Sequence, residues 1–289
     1  MTAIIFVLGL AVGSFLNAYI WRLHAMTDSR GLSGQLAADH RLPRIWEGRS
    51  MCPKCRKTLR WLELIPLVSF IIQLGRCRGC KARIDIQYPL VELATGILFV
   101  LSVWNLSSHG GPASGGEIGI WDLFRISDFG FRILPQWYLL AVLVILFVYD
   151  LRFGLVPDRV VLPAILIAFL YGMIRPGQIN QLSMIHNSLF MILATTVGAG
   201  FFALQYYLSK GRWLGAGDIR IGALMGAMLG FPLIFEGLAV SYFIGGAVGI
   251  GLLAAGRKRF GETLPLGTFL TVGAAIAFLY GQELWNWYF

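Results

Sequence analysis

Apolar residues in this chain come in long blocks, with neither the alternation of a half-buried strand nor the stripe of a soluble helix. Eight blocks stand out, at about 2–21, 88–104, 134–149, 157–174, 184–208, 219–235, 238–255 and 265–284. Each is near the ~20 residues that cross a bilayer as a helix, 88–104 and 134–149 being the shortest. The pattern predicts an all-α polytopic membrane protein with about eight transmembrane helices. Gly222, Gly226, Gly230 and the Gly245–Gly246 pair lie inside the blocks and are expected to mark faces where helices approach closely. No internal repeat stands out. The first block has no basic stretch before it and no small-residue cleavage pattern after it, so it reads as a retained span.

Between the blocks lie two longer polar stretches. The first places a small loop domain between spans and divides the chain into 1–23 (first helix), 24–87 (loop domain) and 88–289 (seven-helix membrane domain). The second, 105–133, is rich in Gly and Ser and carries no chemistry. Within the loop domain, Trp61 to Leu74 is apolar but too short to span; it either covers a small core or lies at the membrane surface.

Composition supports the membrane reading: 57% of the 289 residues are hydrophobic and 13% charged, about half the charge of a soluble domain. The net charge of +9 does not point to nucleic acid, because no basic stretch interleaved with aromatic residues accompanies it. Its distribution gives a topology instead. Arg22 to Arg83 holds 13 Lys and Arg, and the loops after the third, fifth and seventh blocks add Arg152, Arg159, Lys210, Arg212, Arg220, Arg257, Lys258 and Arg259. The other side holds Arg125, Arg132 and Arg175. The positive-inside rule then puts 22–87 in the cytosol and both termini outside, with the bilayer as the partner of the apolar blocks.

The four cysteines form two C-x2-C knuckles, Cys52–Cys55 and Cys77–Cys80, separated by 21 residues. Paired thiolates on two turns suit tetrahedral Zn²⁺, and four sulfur ligands leave no open position, so the metal would be structural. A reducing cytosol disfavours disulfides. A redox dithiol pair is the alternative.

Acids within or beside membrane spans are costly and need an explanation. Asp150 closes the third block and Asp218 opens the sixth, after Gly215-Ala216-Gly217. The third span runs inward and the sixth outward, so both acids sit at the cytosolic rim. Each alone reads as a helix-end residue, with Asp218 a cap and Asp150 a partner of Arg152. Together they make a pair that can share one proton, one acid and one base, as hydrolysis of a peptide by activated water requires. The neighbouring glycines allow close backbone approach and leave room for a substrate strand. Which aspartate carries the proton stays open. No G-x-S-x-G or H-E-x-x-H occurs, so serine and zinc-hydrolase mechanisms lack candidates. Two other classes remain: a transporter with Asp150 and Asp218 as ion or proton sites, and a membrane scaffold presenting a zinc domain.

Several motifs resemble the type IV prepilin peptidases, G-x-G-D aspartic membrane proteases. They are Gly13-Ser14-Phe15-Leu16-Asn17 with Arg22-Leu23, the two cysteine knuckles, Leu59-Arg60-Trp61, Ile65-Pro66-Leu67, and Tyr88-Pro89-Leu90-Val91-Glu92-Leu93. Asp150-Leu151-Arg152 with Val156-Pro157-Asp158, and Gly215-Ala216-Gly217-Asp218-Ile219, resemble the two catalytic motifs. The resemblance implies an aspartic endopeptidase that cleaves basic leaders from prepilins or type II secretion pseudopilins, after Gly at the cytosolic face. It also implies N-methylation of the new N-terminus with S-adenosylmethionine. Glu92 is a candidate for that second site or for holding the substrate amine, or else a helix N-terminal acid. Leu264-Pro265-Leu266-Gly267-Thr268-Phe269 departs from the I-P-F-G-P-F usual in the family, and His24 stands where Pro often follows Arg-Leu.

Overall fold

The computed structural model describes residues 2–31, 50–108, 128–173, 181–259 and 264–288, except 53 and 56. Side chains are not described for 27–31, 106–108, 128–132, 181–187 and 288. The 105–133 loop thus falls mostly outside the described residues. Among these there is no strand, only two isolated antiparallel bridges. Eight long helices occupy the eight apolar blocks: α1 (Thr2–Gly31), α3 (Gln87–Ser108), α4 (Asp128–Phe153), α5 (Asp158–Met173), α6 (Gln181–Ser209), α7 (Ala216–Leu229), α8 (Leu233–Ala254) and α9 (Leu266–Tyr288). A one-turn helix, α2 (Val68–Ile72), follows a 3₁₀ turn at Trp61–Leu64 in the cysteine loop.

Among the described residues, five helices are long and apolar enough to cross a membrane: α1, α3, α4, α6 and α8. At 16 and 14 residues, α5 and α7 fall short of ~20. α9 has the length, with 23 residues, but Gln282, Glu283 and Asn286 make its last turns polar. α1 outruns its apolar block by ten residues, because backbone hydrogen bonding continues past the point where the side chains stop being apolar.

The chain divides into two compact units, Met1–Leu101 and Ser102–Phe289. In the first, α1 and α3 meet through glycine: a Cβ on Gly9 would lie 2.7 Å from Gly96 Cα, and one on Gly13 would lie 2.6 Å from Glu92 Cα. In the second, 67% of the most apolar stretch of α4 is buried, against 17% for α8. α6 packs on α7, α8 on α9, and α9 on α4. Gly198, Gly222 and Gly226 make the α6–α7 contact, each leaving no space for a side chain. The sequence expectation for packing glycines holds for Gly222 and Gly226. Gly245 touches Phe269, but Gly246 faces open space, and Gly230 (φ +70°) serves to end α7.

The cysteine loop contains a repeat that the sequence hides. Ser50–Leu59 and Gly75–Ile84 have the same hydrogen bonds, offset by 25 residues. Cys52 N donates to Lys57 O at 3.0 Å and Cys77 N to Ala82 O at 2.9 Å; Leu59 N donates to Ser50 O at 2.8 Å and Ile84 N to Gly75 O at 2.7 Å. The bridges Met51–Thr58 and Arg76–Arg83 complete the match. Only the cysteines recur clearly in sequence, because backbone bonds carry the rest. The Trp61–Leu74 segment covers no core: Trp61, Ile71, Ile72 and Leu74 are well exposed.

Candidate active site and metal centre

Three helix ends build the aspartate site. Asp150 lies in the last turn of α4, and its Oδ2 accepts the Thr268 backbone N–H at 2.6 Å and the Thr268 hydroxyl at 3.0 Å. Thr268 is in the first turn of α9, where N–H groups have no acceptor within the helix. Asp218 is the third residue of α7, and its Oδ2 accepts the N–H of Gly215, the N-cap, at 3.0 Å. Both carboxylates therefore face the positive ends of helices. Both are buried, and Ile221, three residues on from Asp218, meets Gly267 beside the Asp150 carboxylate: a Cβ on Gly267 would lie 2.8 Å from Ile221 Cδ1 and 2.9 Å from Asp150 Cγ. The structure thus brings together the two acids that the topology pairs. Neither lies at mid-span, where a transport site is expected.

The expected close approach holds at Gly217, but the expected room for a substrate strand beside it does not. A Cβ on Gly217 would lie 2.5 Å from Val156 Cγ2. Gly217 therefore lets α7 approach the α4–α5 connection, and the space beside it is filled by Val156 and is not left for a substrate. Gly267, which the sequence reading did not single out, is the glycine pressed on the acid: its Cβ would lie 2.9 Å from Asp150 Cγ and Oδ2. Asp158 opens α5, half exposed, in an ion pair with Arg220.

The four cysteines converge. Their sulfur atoms lie within 4.8 Å of one another, Cys52 and Cys80 at 3.9 Å, Cys55 and Cys77 at 4.0 Å. Zn–S bonds of about 2.3 Å at tetrahedral angles put sulfurs ~3.8 Å apart. None is in a disulfide. Backbone N–H groups of Cys80 and Gly79 pull the Cys77 thiol down to about 7. Cys55 accepts from the Lys57 backbone, yet burial and the neighbouring sulfurs push it up to about 11. The sulfur spacing fits one tetrahedrally bound metal ion. Glu63 braces the first knuckle, accepting the Arg60 N–H at 2.8 Å and pairing with Lys57 at 3.5 Å. The Arg60 bond, ahead of Lys57, holds its carboxyl below the usual range.

Glu92 is buried in the first unit. It accepts the Leu67 N–H at 2.8 Å and a bond from the Ser14 side chain, and Leu67 holds a positive φ of 57° to donate it. One helical turn away, Asn17 donates to Tyr88 O at 3.0 Å, and its own Oδ1 is buried without a partner. Glu92 sits in the second turn of α3, past the first turn, whose N–H groups lack partners within the helix.

Residues 7–106 match the bacterial peptidase A24 N-terminal domain, and 137–250 match the type IV leader peptidase family. The chain is 30% identical to the prepilin leader peptidase/N-methyltransferase of Bacillus subtilis (strain 168), over 100% of this chain and 98% of that protein. It is 32% identical to the protein of the same name from Burkholderia pseudomallei (strain 1026b), over 96% and 85%. It is 28% identical to that of Aeromonas salmonicida (strain A449), over 99% and 93%. No solved structure matches the chain.

Proposed function

The chain belongs to the type IV leader peptidase family, and on that premise we propose that it removes the leader from type IV prepilins or related pseudopilins, with Asp150 and Asp218 as the paired acids. The observation that carries the assignment is the meeting of two buried carboxylates at the ends of α4 and α7, each oriented by a first-turn or cap N–H. One acid of the pair takes a proton from water as it attacks the scissile carbonyl carbon. The other gives its proton to the carbonyl oxygen, and the tetrahedral diol so formed collapses to the carboxyl product as its C–N bond breaks and the amine leaves with the proton taken from water. No covalent enzyme intermediate is needed.

The same family reading assigns N-methylation of the new N-terminus. S-adenosylmethionine would supply the methyl group. The residues suited to that step are Glu92 and the unpartnered Asn17 Oδ1, two buried acceptors that fit a cation: the product's terminal ammonium or the sulfonium of the donor. Zn²⁺ is the metal best matched to Cys52, Cys55, Cys77 and Cys80, with a structural role. The division into 1–23, 24–87 and 88–289, the cytosolic cysteine loop and the periplasmic termini complete the proposal. The support for them is the charge partition and the even number of long helices over the apolar blocks, eight among the described residues.

The decisive experiment is cleavage of a membrane-anchored prepilin by purified variants. Asp150→Asn and Asp218→Asn each abolish cleavage, and the double variant is little worse than either, because the pair acts as a unit. Asp158→Asn retains activity, since its partner is Arg220. Near-normal cleavage by Asp150→Asn or Asp218→Asn at equal abundance removes the assignment.

A further inference from the structure

Both donors from Thr268 reach the same oxygen of Asp150, Oδ2. The backbone N–H belongs to the first turn of α9 and has no intrahelical acceptor, so its bond to Asp150 takes nothing from the helix. The hydroxyl shows a more specific choice. Ser and Thr in helices commonly return the hydroxyl to a carbonyl one turn back, as the buried Thr95 and Ser241 and the more accessible Thr195 and Thr196 do here. Thr268 instead donates to a side chain 118 residues away. Thr268 and Asp150 are 5% and 7% exposed, so bulk water does not compete for either bond.

A carboxylate oxygen has two in-plane lone pairs. With both engaged, Oδ2 of Asp150 neither carries the shared proton nor orients a water. We propose that Thr268 is a positioning residue for Asp150: it clamps Oδ2, fixes the plane of the carboxylate, and leaves Oδ1 as the working oxygen. This rests on the paired-acid reading above. It assigns a role outside both segments that match the family models, 7–106 and 137–250. Asp218 is held differently, by the cap of its own helix. The position of Asp150 therefore depends on a side-chain hydroxyl that substitution can remove, while that of Asp218 does not.

The test uses the full-length protein and a membrane-anchored prepilin. Thr268→Val keeps the size, the branching and the backbone N–H and removes only the hydroxyl. One lost hydrogen bond to a charged group lowers kcat about tenfold or more, with KM within about twofold, because the bond orients a reacting group and does not bind substrate. Thr268→Ser restores the donor and brings kcat back to within about threefold of the parent. If Thr268→Val fails to accumulate, Thr268→Ala removes the donor without crowding and gives the same reading. Unchanged kcat in the hydroxyl-free variants, with Asp150→Asn inactive, overturns the clamp and leaves the acid pair standing. So does a Thr268→Ser variant as slow as Thr268→Val, which would assign the effect to the methyl group. Near-normal cleavage by Asp150→Asn overturns the pair beneath it.

Discussion

Gly267→Ala would place one methyl group against the reacting acid. The new Cβ lies 2.9 Å from Cγ and Oδ2 of Asp150 and 2.8 Å from Cδ1 of Ile221. Carbon–carbon contact is comfortable at ~3.5 Å, so roughly 0.6 Å of movement must be found. Ile221 is fully buried and cannot move far. Asp150 is tied to the very next residue, Thr268, by two hydrogen bonds. An overpacked methyl costs about 1–3 kcal/mol of stability, which a polytopic protein can tolerate. The rate is more sensitive: a ~1 Å misplacement of a catalytic group costs ~100-fold, so about half that displacement lowers kcat roughly tenfold. Gly246→Ala is the matched control, since nothing lies within 4 Å of its Cβ. The assay is prepilin cleavage by both variants at equal membrane abundance, with kcat and KM measured separately. A Gly267→Ala enzyme with unchanged kcat would refute the reasoning, and so would equal losses in the two variants.

The remaining predictions address the other sites. Cys52→Ser with Cys55→Ser lowers zinc content from one per chain toward none and exposes the 50–84 segment to proteases, because metal binding energy is folding energy in such a site; elemental analysis and limited proteolysis check this. Glu92→Gln reduces methylation of the product and spares most of the cleavage, which mass spectrometry of the mature N-terminus separates. A reporter fused after Arg83 reads cytosolic and one near Gly115 periplasmic, from the 21-to-3 partition of basic residues.

The positions of the membrane helices were legible because lipid and core both demand apolar residues over a fixed length. Their ends were less so. α1 runs on to Gly31 and α4 begins at Asp128, since a helix needs apolar side chains only where it is in lipid or core. Pairing Asp150 with Asp218 needed only the parity of the spans. The same parity puts the start of the last helix on that rim, which is the signal by which Gly267 and Thr268 could have been found. Neither residue type announces itself: a Thr near a helix start is common, and a Gly shows its purpose only when its neighbour is known. The knuckle repeat was hidden for a related reason, because it resides in backbone bonds that many side chains permit.

The two equivalent knuckles behave as the halves of a chelate. Each supplies one buried and one exposed sulfur, Cys52 with Cys55 and Cys77 with Cys80, so neither half completes a tetrahedral set. Once one half has captured an ion, the other arrives at an effective concentration set by the tether from Arg60 to Leu74. That tether is stiffened by the 3₁₀ turn, by α2 and by the Glu63 brace. Lengthening such a tether weakens capture only slowly, by ~0.6 kcal/mol per doubling, whereas loosening its turns sacrifices preorganisation directly. The exposed apolar residues of the tether are therefore free to change with whatever surface they meet, while the short-range folds that hold the halves in register are not.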